Sequence, residues 1–569
     1  MNTIIRTRST SIQQFLIPHS SFLIPHLLTT LILLISCSPQ APVIYSIDPQ
    51  IGIMGEPVII KGAFFGNDRD ESYVTIAGAQ PIGKSYLSWQ DDKIILRIPE
   101  FAEAGLIYVY VKGKKSNGVL FANKATLPSQ VQNDETRVGP RIISITPPTA
   151  SPGALLSIIG AGFGSSRGNS GVFFSWNAQA PSSAPLDARI EEFTEVSDIE
   201  FGYELWSDRE IRVRVPDGAV GGNMEVRTPR ANSAPFVFEL GNRPGSKIFR
   251  DKRSYTLSYL VDLKVSEAVP PNTMYLWIPR PASSAAQRNI ELLFCSMEAL
   301  IDEYRGVSLF KIDNLSSDKD LQIRLSWKVD VYGIETVITP QSIRQEQDSP
   351  IISTYTQSSL QLPCDDPRIQ SQIAAILGRE RNPYTKAQRI YEWMTNSYFT
   401  WEGSTVNPAP VQDDIINALE SKHIDSYLGA LLYCTLLRAA GVPGQPISGV
   451  LVNRNREVMN HYWAEFWIDG IGWIPADPFM AYASYNSGII PESFIAYQDK
   501  KDFYFGNMDS RRIVFSRGWS ILSPMDPRGR TAAHNRSWSL QNIREEVVGG
   551  IESYSSLWGD ITITGIYAQ

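Results

Sequence analysis

His461 and Asp477 are the side chains whose types and spacing most directly suggest chemistry. They stand 16 residues apart on consecutive runs of strand character. That separation lets neighbouring strands bring the carboxylate against the imidazole, fix its tautomer and ready it as a base. Outside residues 1–36 the chain holds three histidines, His423, His461 and His534, so the choice of base is narrow. Taken alone, a histidine beside Trp463 reads as a packed structural residue. Asp477 is what ties it to chemistry. His423 reads as a solvated residue near a helix start, with replacement acid or base as its alternative role. The four cysteines are Cys37, Cys295, Cys364 and Cys434, and none forms a CxxC pair, so a structural zinc site of the usual spacing is disfavoured. Cys295, Cys364 and Cys434 lie in apolar or helical contexts and are expected as small buried hydrophobes. No cofactor or metal motif is present, and none is expected.

The elements that must position these groups are legible in the periodicity. Residues 367–377 and 385–398 have helical spacing, the second with Ile390, Trp393 and Met394 on one side. A third helix, 427–440, is rich in Leu and Ala and is stopped by Gly441-Val442-Pro443. Two strand-like runs follow, 447–452 and 462–468, joined through the polar turn 453–457.

Several phrases in this region resemble the transglutaminase-like superfamily. Leu436-Leu437-Arg438-Ala439-Ala440-Gly441-Val442-Pro443 resembles its helix end, His461-Tyr462-Trp463-Ala464-Glu465-Phe466 its His-x-Trp-x-Glu strand, and Gly472-Trp473-Ile474-Pro475-Ala476-Asp477 its Gly-Trp-x-x-x-Asp strand. Tyr504 to Asp509 and Arg511 to Gly518 resemble a tail found in a bacterial subgroup. The likeness covers about 250–525 and implies a papain-like α+β core. In such a core a cysteine at a helix N-terminus, where the dipole favours a thiolate, is served by His and Asp from strands.

The resemblance breaks at the nucleophile. Counting back from Pro443 to the family's cysteine position reaches Ser426, after Asp425, and the segment also lacks the family's usual glycine. Cys434 is no substitute, because eight residues along a helix is about 12 Å of rise and about 80° of rotation. A hydroxyl is far less acidic than a thiol, whose free pKa is about 8.5. Three readings follow. The favoured one is a relic site that binds peptide or glycan without cleaving it. In the second, Ser426, His461 and Asp477 form a serine triad that hydrolyses or transfers acyl groups at peptide or amide bonds. In the third, the upstream domains make the chain an adhesin or assembly protein.

Those upstream domains begin with a repeat. Ser46-Ile47-Asp48-Pro49 recurs as Ser144-Ile145-Thr146-Pro147, and at the same offset Gly55 recurs as Gly153, Ile60 as Ile158, Gly62 as Gly160 and Phe65-Gly66 as Phe163-Gly164. A second block, with Trp89, Asp91, Ile94 and Leu96, matches Trp206, Asp208, Ile211 and Val213 at a larger offset. The second copy therefore carries an insertion, placed around 165–200. Alternating apolar residues between Gly, Pro and Asn turns read as half-buried strands of small sandwiches. Both copies resemble IPT/TIG domains, immunoglobulin-like modules, which implies a stalk or a protein- or glycan-binding unit. After a linker at 239–250, alternation at Tyr255 to Leu263 and Leu321 to Trp327 indicates a further β layer. Its Tyr275-Leu276-Trp277-Ile278-Pro279-Arg280-Pro281 phrase, followed by Gln287, resembles the β region that precedes many bacterial transglutaminase-like cores.

Residues 1–36 combine Arg6 and Arg8 with the apolar run Leu27 to Ile35, too short to span a bilayer. The run ends Leu34-Ile35-Ser36-Cys37, which resembles a bacterial lipobox and implies acylation of Cys37. An exported, lipid-anchored envelope protein is expected, with Ser38 leaning toward the outer membrane if two membranes are present. The 569-residue chain has 52 basic and 59 acidic residues, a net charge of −7 and no basic run, which disfavours nucleic acid as a partner. The expected partners are peptide, protein or cell-wall glycan, and the membrane through the lipid. The chain is thus expected to be multidomain: signal peptide 1–36, immunoglobulin-like sandwiches 38–125 and 138–241, a β-rich domain 250–344, a transglutaminase-like α+β core 345–518 and a β-containing tail 519–569.

Overall fold

The computed structural model describes residues 40–568 except 53–55, 78–79, 82–84, 99–104, 124–138, 177–191, 198–199, 242–243, 318–319, 344–349, 397–398, 402–411, 487, 499 and 534–536. Residues 1–36, expected as a signal peptide, Cys37, His534 and part of the insertion expected near 165–200 lie outside the described residues. No helix among the described residues is long and apolar enough to cross a membrane.

The chain is multidomain and mainly β. In the first sandwich one sheet runs Val43–Asp48, Pro57–Ala63, Lys93–Arg97, Tyr86–Gln90. In the second the corresponding sheet runs Arg141–Thr146, Leu155–Ala161, Glu210–Arg214, Tyr203–Trp206. Each closes over a core of alternating residues, Val58, Ile60, Ile94 and Leu96 in one and Leu156, Ile158, Ile211 and Val213 in the other, all fully buried.

The repeated motif residues bond to one another. Trp89 Nε1 donates to Phe65 O at 2.9 Å and Trp206 Nε1 to Phe163 O at 3.2 Å. Asp91 and Asp208 accept from the amides of Gly66 and Gly164. Gly62 and Gly160 are glycines because a Cβ would lie 2.0 Å and 2.2 Å from the carbonyls of Val43 and Arg141. The repeat therefore encodes the sandwich itself.

The β-rich domain is built on one long strand, Gly245–Pro279, paired antiparallel with Asp320–Ile338 along residues 245–264 and with Val307–Asp313 at its far end. The 519–569 segment, expected as a tail, adds three strands to this sheet, the short Arg530–Ala532 pairing with Glu545–Trp558. Glu545–Trp558 pairs along residues 261–276 of the long strand and Thr562–Ala568 along residues 253–258. The tail and the β layer share one hydrophobic core, in which Trp538 packs on Tyr259 and Phe515.

The core that follows sets helices Pro367–Leu377, Pro383–Thr395, Gln412–Ser421 and Ser426–Ala439 against a four-stranded antiparallel sheet. Its order is Gly472–Ala476, Val458–Ile468, Gly444–Val452, Arg512–Arg517. The second helix starts two residues earlier than its periodicity suggests, because Asn382 caps it through the amides of Tyr384 and Thr385 and Pro383 occupies the first turn. Ile390 and Met394 are buried on its inner face.

The second sandwich is docked on this body. Trp176 packs on Phe249 and Tyr332, with centroids 5.2 Å and 4.9 Å away. Lys247 pairs with Asp217 in a buried contact and donates to Trp473 O at 2.7 Å. Gln287 ties the β layer to the core by donating to Val514 O and accepting from Val514 N, both at 2.8 Å.

Candidate active site

Ser426 opens the buried helix Ser426–Ala439. Asp425 is its N-cap, accepting from the amide of Leu428 at 2.8 Å, so the helix begins at the candidate residue Ser426. His461 lies mid-strand in Val458–Ile468, opposite Gly449. Asp477 follows the strand Gly472–Ala476, which pairs with the His461 strand from Ala464 to Ile468.

The strands bring the expected pair together. His461 Nε2 is 2.7 Å from Asp477 Oδ2, with the two side chains 1% and 0% exposed. A neutral imidazole that donates from Nε2 carries its lone pair on Nδ1, the state of a general base. Asp477 also caps the short helix Pro478–Ala483, its Oδ1 accepting from Met480 N at 3.0 Å.

Sequence reasoning missed a third partner, Arg512. Its guanidinium donates to Asp477 Oδ2 at 2.7 Å and to Asp509 Oδ2 at 2.8 Å, and it is 2% exposed. Burial alone would raise the Asp477 carboxyl, but the charges and hydrogen bonds of His461 and Arg512 hold it below its ordinary value. Burial works against the Arg512 charge, while Asp509 and Asp477 together raise its pKa. The Arg511-Arg512 pair was visible in the sequence, but nothing marked which of the two turns inward.

Ser426 is placed at the same end of the fold. The residue after it, Tyr427, packs edge-on against Tyr462, the residue after His461, with centroids 4.8 Å apart. Yet Ser426 Oγ is buried and has no hydrogen-bond partner among the described residues, His461 included. Trp401 lies beside it in the fold. Its ring would sit 2.4 Å from a Cβ on Gly429, it contacts Phe479, and Phe479 contacts His461. The indole nitrogen of Trp401 is likewise buried without a partner.

Cys434 sits within the Ser426 helix, fully buried, its thiol pushed up by burial, which suits an inert core residue. Cys364 is also buried. Cys295 corrects the expectation of burial. It ends the edge strand Gln287–Cys295, is half-buried, and donates to Met297 O at 2.9 Å. His423 is exposed, as expected of a solvated residue near the helix start. Among the described residues no group of three or more His, Cys, Asp or Glu is arranged to hold a metal ion.

Residues 371–478 match the transglutaminase-like superfamily, a span that contains Ser426, His461 and Asp477, and residues 42–126 match the IPT/TIG domain. No curated protein matches the chain significantly. Among solved structures, a putative cysteine protease from Cytophaga hutchinsonii is 14% identical with a TM-score of 0.35, covering 57% of this chain and 91% of its own. The periplasmic domain of TgpA from Pseudomonas aeruginosa is 16% identical with a TM-score of 0.23, covering 39% and 87%. The surface glycan-binding protein PbSGBP-B from Prevotella bryantii is 10% identical with a TM-score of 0.19, covering 53% and 99%.

Proposed function

We propose that this chain is an exported, lipid-anchored envelope protein whose transglutaminase-like core binds peptide or glycan without cleaving it, carried on an IPT/TIG stalk. The observation that carries the reading is the state of Ser426. Its hydroxyl stands where the family's thiol belongs, buried and hydrogen-bonded to nothing among the described residues. A serine at that position depends on a base to take its proton. The carboxylate that orients this base is itself shared with the Arg512 guanidinium. A carboxylate shared with a guanidinium lends less to a forming imidazolium than one facing the ring alone.

The stalk assignment is supported by the repeated residues of the sandwiches, whose side chains hydrogen-bond within their own domain. Lipidation at Cys37 is tested by incorporation of a labelled fatty acid that Cys37→Ala abolishes.

The test of the central reading uses the full chain in detergent, because the second sandwich is packed on the core. Amide, ester and peptide turnover is measured beside Ser426→Ala, and binding to muropeptides is followed in parallel. Equal, background turnover with retained binding is the expected result. Turnover that Ser426→Ala abolishes would establish the serine triad instead, a reading that the intact 2.7 Å His461–Asp477 bond favours.

A further inference from the structure

A second feature of the molecule is unrelated to the triad. At the junction of the β layer, the returning tail and the core there is an open cleft of about 250 Å³. Its lining draws on segments far apart in sequence: Arg253 and Tyr255 from the long strand, Arg454 and Arg456 from the 453–457 turn, Arg511 at the start of the Arg512 strand, and Ile566 from the last strand. No carboxylate lines it.

Four guanidiniums in one cleft of a chain with net charge −7 is a marked local excess. None of the four forms an ion pair among the described residues. Arg253 donates instead to Ser510 Oγ, Arg456 to Thr564 O and Arg511 to Ile495 O. Two carboxylates of the flanking loops are committed elsewhere. Glu457 accepts from Asn453 Nδ2 at 2.6 Å, and Asp509 accepts from the Arg512 guanidinium and the Arg511 amide. Each free guanidinium edge offers parallel N–H donors that match two oxygens of an oxyanion. A singly charged carboxylate would neutralise one arginine of the four, whereas a compact polyanion neutralises several at once. The volume suits it, since about 250 Å³ is the share of roughly eight waters at about 30 Å³ each.

We infer that the cleft formed by Arg253, Arg454, Arg456 and Arg511 binds a phosphoryl polyanion. The shared chemistry is a phosphoryl group carrying two or more negative charges, whether free in solution as a phosphate or pyrophosphate or displayed as a phosphomonoester lipid headgroup. The inference rests on none of the catalytic geometry.

The experiment titrates the full chain in detergent with pyrophosphate by calorimetry, beside acetate, and separately measures binding to vesicles with and without phosphatidate. Arg454→Glu is the first variant, because the side chain is exposed and its change leaves the fold intact. Arg253→Gln is the second, and unchanged thermal midpoints establish that both are folded. The expected result is one site for pyrophosphate with acetate at least tenfold weaker, weakening at least tenfold in Arg454→Glu and progressively as salt is raised. Phosphatidate-dependent vesicle binding lost in the same variants also supports the site and names the headgroup as its source. Absence of both, or binding that neither variant weakens, overturns it.

Discussion

Asp477 receives His461 Nε2 and Arg512 Nη1 on the same oxygen, Oδ2, each at 2.7 Å. The carboxylate is therefore as much the partner of a buried guanidinium as of an imidazole. Replacing Asp477 by Asn strands a fully buried cation with only Asp509 to balance it, at a cost of about 3–5 kcal/mol. Urea unfolding at neutral pH checks that loss.

The same pair sets a pH dependence with a definite sign. The folded Asp477 carboxyl lies below its ordinary value of 3.8, so the unfolded chain takes up the proton first as pH falls. The stabilisation is complete above the unfolded value and disappears as pH drops through the lower folded one. The difference in stability between the native chain and Asp477→Asn should shrink as pH falls below about 5 and on through the folded value. A difference that stays constant across that window contradicts the network as described.

Ser426→Ala removes a hydroxyl that is buried without a partner, so it should leave stability unchanged or raise it by up to about 1 kcal/mol. Ser426→Cys should create a thiol at the start of a helix, where the dipole favours thiolate. Both positions are buried, so the contrast is one of acidity: iodoacetamide labelling followed by mass spectrometry should modify residue 426 ahead of Cys434, whose thiol burial pushes up. Equal labelling of both positions would mean that the helix start is not distinct from its interior.

What the sequence disclosed and what it hid have physical reasons. The His461–Asp477 pair was legible because both sit in short motifs on neighbouring strands, so local register suffices to join them. Arg512 was not. Its inward direction depends on the strand Arg512–Arg517 pairing with Gly444–Val452, a contact no local pattern records. The tail was hidden for the same reason, since its strands pair with residues 253–276, a partner far back along the chain. Its alternation was visible only as Ile561, Ile563 and Ile566, the first two buried and the third half-buried. Counting along the resemblance was enough to single out Ser426, but the absence of a hydrogen bond to its hydroxyl is a matter of side-chain placement alone.

The paired sandwiches offer an internal control. Trp89→Phe and Trp206→Phe each delete one indole N–H bond to a carbonyl and keep most of the ring. Each should cost about 1 kcal/mol, and the two losses should agree. Gly62→Ala and Gly160→Ala drive a methyl into a backbone carbonyl and must cost more. Thermal melts of the four variants decide whether the repeat encodes two equivalent folds. Loss in one copy only would assign the motif of the other to some different role.

The returning tail should prove inseparable from the active-site strand. Tyr462, next to His461, donates to Ser537 O at 2.7 Å, and Ser448 Oγ on the adjacent strand donates to the same carbonyl at 3.2 Å. Arg544, fully buried, reaches Ser537 Oγ while its guanidinium lies between the Trp538 and Trp558 rings. Burial, the dominant influence, lowers the Arg544 pKa to about 10. Tyr462→Phe removes one bond and should cost about 1 kcal/mol. A chain ending at 518 loses far more. The long strand then exposes an unpaired edge along 253–276, and Tyr259 and Phe515 lose the Trp538 ring that covers them. Such a chain should aggregate or lose its near-ultraviolet circular dichroism and cooperative melt. If it instead unfolds cooperatively at the native midpoint, the last strands are an appendage and the wiring through Ser537 does not hold the His461 strand in place.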